Sequence, residues 1–229
     1  VTSVTLQAGA NYRVRCQSST DVPWRELFAP PGAPGRTFES YVEQHGRVEA
    51  IWFPFTETPW LKTWSVSPEK PAESREVFGP YPYVFSDSIP EPVTDALAQV
   101  ASGNQAITPA FGASQFGAVA AGLVATDTHD LWGWSKDLMF YLRATTLRVV
   151  AGGGVVVTRR ENIAQVIHEF TTWLHERMTY YASLGQYPVN MPFEVRLCRV
   201  DDQSEVLTDS AGAPNLSPVR PRPDRPDWD

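Results

Sequence analysis

The run from Glu161 to Leu184 constrains the fold most. Ile163, Val166, Ile167, Phe170, Trp173, Leu174, Met178 and Tyr181 recur at three- and four-residue spacing, which lays one apolar stripe along a helix. Thr158 and Glu161 have the spacing of a capping box ahead of it, and Gly185 supplies the stop. Such a stripe needs an apolar surface to lie on, and strand-like runs supply one. Val48 to Phe55 is apolar, and Trp60 to Ser67 alternates with Trp60, Lys62, Trp64 and Val66 on one face. The Pro- and Thr-bearing link between them, Thr56 to Pro59, reads as the turn of an antiparallel hairpin. Pro192 to Val200 reads as a further strand.

The remaining elements are shorter. Strand signals and turns fill the first 35 residues, starting with Val1 to Leu6 and ending in the proline- and glycine-rich stretch Ala29 to Gly35. Thr37 to His45 predicts a short helix, and Asp87 or Ser88 is placed to cap another that stops at Gly103. Phe111 to Thr126 is rich in small residues and predicts a closely packed helix. Met139 to Val150 and Val155 to Thr158 read as strands joined by the turn Gly152-Gly153-Gly154. Strands and helices do not alternate, so the expected class is α+β: a large, mostly antiparallel β-sheet covered on one side by helices, with residues 1–229 as one domain.

Composition narrows the function classes. The chain has 229 residues, 42% hydrophobic and 20% charged, with a net charge of −7. That charge argues against nucleic acid as a partner. The longest uninterrupted apolar run, Phe116 to Ala125, falls short of the ~20 residues that span a bilayer, so no transmembrane segment is expected. Cys16 and Cys198 form no CxxC or Cys/His cluster, and the four histidines are scattered, so no metal site is expected. The two cysteines are either one disulfide or two buried thiols. The glycine triplet precedes β-branched residues rather than a helix, which makes it a poor phosphate loop. Val1 opens in strand-like sequence and Pro218 to Pro226 reads as a connector, so the chain is expected to be a piece of a larger protein.

Glu194-Val195-Arg196 carries the chemistry. On a strand Phe193, Val195 and Leu197 fall on one side, and Glu194, Arg196 and Cys198 on the other, with Glu194 and Arg196 ~6.6 Å apart. A carboxylate that accepts a proton, beside a permanent planar cation that holds negative charge as it develops, can share one small polar substrate group. An ordinary lateral ion pair has the same pattern. Eight tryptophans, among them Trp60 and Trp64 around Lys62, and Trp132 and Trp134 before Lys136, suit a pocket for a large apolar ligand with one polar end.

Several longer runs carry a resemblance. They are Cys16-Gln17-Ser18, Asp21 to Pro30, Glu49 to Glu57, Phe85 to Pro92, Trp132 to Asp137, His175-Glu176-Arg177 and Arg220 to Asp224. Together they resemble the substrate-binding domain of sterol (cholesterol) oxidases with covalently attached FAD, within the vanillyl-alcohol-oxidase-type flavoproteins, over nearly the whole chain. The resemblance implies an FAD-binding domain N-terminal to this region in the same polypeptide, and a sheet that roofs the flavin. It also implies oxidation of a 3β-hydroxysteroid to the 3-keto-4-ene steroid, with dioxygen reduced to hydrogen peroxide. The family's Glu-x-Arg maps onto Glu194 and Arg196, and a second active-site Glu onto Glu49 by approximate position. Which of Glu194 and Glu49 serves oxidation and which isomerisation stays open. Trp52, Phe53, Trp64, Phe78 and Phe85 are expected to line the sterol pocket. A bacterial enzyme of this kind is expected to be secreted or held at the cell surface.

Two departures stand out. The chain carries no flavin domain of its own, and the loop from Lys70 to Arg75 is shorter than the family's glycine-rich loop. Two other functions remain to be weighed. One is a related oxidase of sugar alcohols or lactones, which the aromatic, uncharged lining disfavours. The other is a non-catalytic sterol- or lipid-binding module, to which Glu194 would be indifferent.

Overall fold

The structure is a computed structural model and describes residues 9–81, 90–139, 152–200 and 225. Six strands form one sheet: β1 (Arg13–Ser19), β2 (Arg47–Trp52), β3 (Trp60–Val66), β4 (Arg75–Glu76), β5 (Asp130–Trp134) and β6 (Phe193–Arg196). Their order is β4-β5-β1-β3-β2-β6. Every neighbouring pair is antiparallel except β4 and β5, which run parallel. The expected hairpin is β2–β3, with Ile51 opposite Trp60. Its link bends through Phe55 at φ 65°, a left-handed conformation uncommon outside glycine, and the Phe55 ring packs on Tyr187 with centroids 5.5 Å apart.

Among the described residues six α-helices accompany the sheet: α1 (Trp24–Leu27), α2 (Phe38–Gln44), α3 (Glu91–Ala101), α4 (Thr108–Ala125), α5 (Ser135–Leu138) and α6 (Ile163–Ser183). Thr37 caps α2 by accepting from the Ser40 N–H at 3.1 Å. The expected capping box of α6 does not form. A 3-10 turn over Arg160–Asn162 precedes the helix, which sets Thr158 too far back to meet its first free N–H groups.

The main core lies where α6 meets the sheet. Val48, Ala50 and Trp52 on β2 and Leu61 on β3 pack with Trp24, Leu27, Phe28 and Phe38, and with Leu174 and Met178 of α6. Phe193, Val195 and Leu197 join the same cluster, as the alternation along β6 predicts.

The other face is not bare, which corrects the expectation of one-sided cover. Val119 and Leu123 of α4 pack on Phe53 and Trp60, closing one end of that face. The approach is close, because a Cβ on Gly112 would stand 2.3 Å from the Pro54 carbonyl oxygen. The helical run Gln105–Ala125 is, by length and composition, apolar enough to cross a membrane, with a mean hydropathy of 1.3. It carries no charged residue, and the sequence reading stopped short because Thr108, Ser114 and Gln115 interrupt its apolar run.

Val155 to Thr158, read from the sequence as a strand, is irregular. The strand calls at Val1 to Leu6 and over most of Met139 to Val150, the caps at Asp87 and Ser88, and nearly all of the proline run lie outside the described residues. The cysteines are both free, Cys16 buried and Cys198 exposed. Cys16 lies opposite Trp64, Trp64 opposite Arg47, and Cys198 lies beyond on the far side of β2. Three strand spacings are ~14 Å, twice the Cα separation a disulfide tolerates.

Candidate active site

Register builds the site. Ser18 is opposite Lys62, Lys62 opposite Glu49, and Glu49 opposite Arg196, so four polar side chains form one row across β1, β3, β2 and β6. Directly opposite residues share a face, and this face is the one turned away from α6. The adjacent row holds Trp60, Ile51 and Glu194.

Charge along the row alternates. Glu49 is only 2% exposed and Lys62 3%. Lys62 Nζ forms a short ion pair with Glu49 Oε1. Arg196 reaches the second oxygen, Glu49 Oε2, through Nε at 3.1 Å and Nη2 at 3.0 Å. The same Nη2 donates to Glu194 Oε1. Both oxygens of Glu49 are thus engaged by buried or half-buried cations. The Glu194 and Arg196 side chains stay 40% and 46% exposed, which makes them the accessible end of the row.

These surroundings push the two carboxylates apart. Burial alone would raise Glu49, but Lys62 and Arg196 outweigh it and hold its pKa below the ordinary carboxylate value. Glu194 goes the other way: burial, then the Glu49 charge, raise it against the pull of Arg196. Arg196 itself is stabilised as the cation, the two carboxylates outweighing its burial. Two carboxyl groups separated in this way divide into a permanent anion and a proton carrier.

Aromatic rings floor the row. Lys62 Nζ lies 4.4 Å from the Trp60 ring centroid and 5.5 Å from that of Trp64, and the Arg47 guanidinium lies 5.2 Å over Trp64. Trp64 is anchored by its indole N–H, which donates to the Leu138 carbonyl at 3.1 Å. Beyond Lys62 is a cavity of about 20 Å³ lined by Cys16, Ser18, Trp60, Trp64, Tyr81 and Thr128 among others. Burial pushes the Cys16 thiol up to about 12, so it stays protonated there. Along β6 a mostly apolar groove of about 450 Å³ runs between that edge strand, Val155 to Val157 and the Ile163, Ile167 and Phe170 stripe of α6, and Glu194 and Arg196 are among the residues that line it.

The structure brings Glu49, Glu194 and Arg196 together from strands 147 residues apart in sequence. Trp64 shares their face, and Phe53 packs at its end against Trp60. Trp52 does not, because its position on β2 turns it to the helix side. Its ring stacks on Trp24 at 4.9 Å, and its indole N–H donates to the Thr56 carbonyl at 2.9 Å. Phe78 stands 88% exposed beside β4, away from the row. Phe85 lies outside the described residues. Lys62 was read as part of a strand face but not as a site residue. The available signal was a lysine held between two tryptophans at alternating positions of a strand.

Residues 13–229 match the family described as cholesterol oxidase, substrate-binding. The fold is similar to the crystal structure of cholesterol oxidase from Brevibacterium sterolicum, with 55% identity and a TM-score of 0.91 over 97% of this chain. A histidine-to-alanine mutant of cholesterol oxidase from the same organism gives the same values. A solvent-stable cholesterol oxidase is 49% identical over 95% of this chain, with a TM-score of 0.85. No curated protein matches the chain. The chain spans 41% of the length of the solved oxidases it resembles. A buried Glu–Lys–Arg row, a six-stranded sheet backed by one long helix, and a match across almost every residue lead to one conclusion: this chain belongs to the cholesterol oxidase substrate-binding family.

Proposed function

We propose that this chain is the substrate-binding part of an FAD-dependent cholesterol oxidase that converts a 3β-hydroxysteroid to the 3-keto-4-ene steroid. Glu194 accepts the hydroxyl proton, and Arg196 holds the oxygen as negative charge gathers on it. The carbinol hydrogen leaves with its electron pair, so the C–O bond becomes a carbonyl. Flavin, when bound, would supply the acceptor for that hydride, with dioxygen as the final oxidant, reduced to hydrogen peroxide. The proton taken by Glu194 and that hydride become the two hydrogens of the hydrogen peroxide, and Glu194, ionised again, then has the affinity to take a C4 proton and return it at C6, which moves the double bond.

The observation that carries this reading is the unequal engagement of the two carboxylates. Glu49 has both oxygens occupied by cations, whereas Glu194 meets Arg196 through one oxygen and has the higher proton affinity. Glu49 therefore braces the cation while Glu194 moves the proton. The chain's fit to flavin rests on the two half-exposed groups Glu194 and Arg196 at the open end of the row. The stretch after Gly152 is irregular through Thr158 and reaches α6 only past the 3-10 turn, so its glycines do not stand at the helix N-terminus where a pyrophosphate would sit. Holding FAD accordingly falls to another domain in this proposal.

Glu194→Gln in the full-length flavoenzyme tests the assignment. Gln preserves size and a contact with Arg196 but accepts no proton, so anaerobic flavin reduction should slow by about 10²-fold or more. The melting temperature should hardly move, since a half-exposed pair contributes ~1 kcal/mol at most. Reduction at nearly the original rate would remove Glu194 from the reaction.

A further inference from the structure

Lys62 stands two strands in from the open end of the row and is buried as deeply as Glu49. It stands directly opposite Glu49 on the neighbouring strand, and both side chains are almost fully buried. Trp60 and Trp64 wall it in within cation–π distance, and Leu123, Leu131 and Leu138 complete an apolar surround. A charge kept from water acts on its neighbour with little dielectric screening. An ammonium in such a place carries a desolvation cost that an ion pair offsets only in part, and Nζ is held against one oxygen of Glu49.

We propose that Lys62 is a positioning residue for sterol oxidation: it locks Glu49 as the carboxylate that braces Arg196, and so reserves the moving proton for Glu194. The proposal rests on Glu194 being the proton acceptor. Lys62 and Arg196 hold Glu49 from its two sides, one cation per oxygen, so the Glu49 side chain cannot turn toward a substrate while both are in place. Without Lys62, the first oxygen of Glu49 is released. The two carboxylates then compete for one proton with only Arg196 between them. Arg196, drawn toward whichever carboxylate stays ionised, no longer has a fixed place from which to hold the reacting oxygen.

The sign of the pH effect follows. Removing a buried cation raises the proton affinity of the Glu49–Glu194 pair, so the base form fills at higher pH. Among the described residues, the other titratable groups facing this pair and Lys62 are Arg47 on β2, Arg196 on β6 with Cys198 two residues beyond it, Cys16 on β1, His129 just before β5 and Tyr81 after β4. Burial keeps Cys16 protonated and the two carboxylates hold Arg196 as the cation against its burial, while α4 brings no charge to this face.

The test is the pH profile of kcat/KM for flavin reduction in the full-length enzyme. Lys62→Met should shift the acidic limb upward by one unit or more, a loss of about tenfold at the acid end of the profile. Lys62→Arg should restore the limb, and infrared difference spectra should show a protonated carboxyl in Lys62→Met that Glu49→Gln removes. If Lys62→Met does not fold, Lys62→Gln deletes the charge while keeping a donor toward Glu49 and carries the same test. An unmoved limb in the variant that folds, with Glu194→Gln still abolishing reduction, overturns the role of Lys62 and leaves the proposed function standing. Normal reduction by Glu194→Gln would overturn both.

Discussion

Strand β2 presents two different surfaces within six residues. Val48, Ala50 and Trp52 point toward α6 and disappear into an apolar core, while Arg47, Glu49 and Ile51 point the opposite way. Both sides contain deeply buried groups, but of different kinds. On the helix side burial is apolar, and each side chain removed from water adds to stability. On the other side Glu49 and Lys62 are equally buried at the cost of desolvating two charges, a cost that an ion pair offsets only in part. One side of the strand therefore stabilises the domain, and the other holds groups whose placement favours chemistry over stability.

Three further outcomes would break or sharpen that division. The largest concerns Leu174, which α6 buries against the sheet. Leu174→Ala should cost about 2–5 kcal/mol of stability, read from chemical denaturation, while the folded fraction keeps its rate of flavin reduction. Lost turnover without lost stability would mean the helix side takes part in the reaction.

Arg196→Lys should give the converse. A lysine offers a point charge where a planar fork spans Glu49, Glu194 and the reacting oxygen. The expected loss is about 2–4 kcal/mol of transition-state stabilisation, measured as kcat/KM on cholesterol, with little change in melting temperature. A fall of less than tenfold would place the oxygen elsewhere.

The smallest effect is a pH dependence of stability that belongs to the helix side. His175 stacks on Trp24 and Trp52, and burial followed by the nearby Arg25 lowers its pKa from 6.5. His45, hydrogen-bonded to Ser65 at 2.7 Å, is likewise lowered, by burial and then by Arg15. Depressed folded values mean that the unfolded chain binds protons first as pH falls. Their stabilisation is complete above 6.5 and is lost as pH drops through the folded values. The melting temperature should thus decline by on the order of 2 °C between about pH 7 and pH 5, and His175→Gln should flatten the slope. A rise in stability over that interval would contradict the half-buried, neutral state of both rings.

Much of this was legible in the residues themselves. The spacing of Ile163 to Tyr181 and the alternation of Trp60 to Val66 predicted α6 and β3, because period alone separates a helix stripe from a strand face. The pairing of Glu194 with Arg196 needed only the strand repeat. The pocket assignment of Trp52 shows where this ends. It is an aromatic residue within a recognisable run, but whether it looks toward the site or away depends on which face α6 covers. A one-residue change in register would exchange the two sets. The start of α6 likewise turned on a 3-10 turn rather than on composition.

Local pattern, in the end, determined the elements, the two-faced strands and the acid–cation pair on β6, since each depends on neighbours two to four residues away. Only the tertiary structure decided that Lys62, Glu49 and Arg196 stand in one row. That row joins three strands whose order in the sheet is not their order in the chain, and the hydrogen-bonded register between β3, β2 and β6 alone sets which side chains meet. The same register buries one carboxylate between two cations and leaves the other near solvent, a difference in environment that two glutamates of identical chemistry cannot announce in sequence.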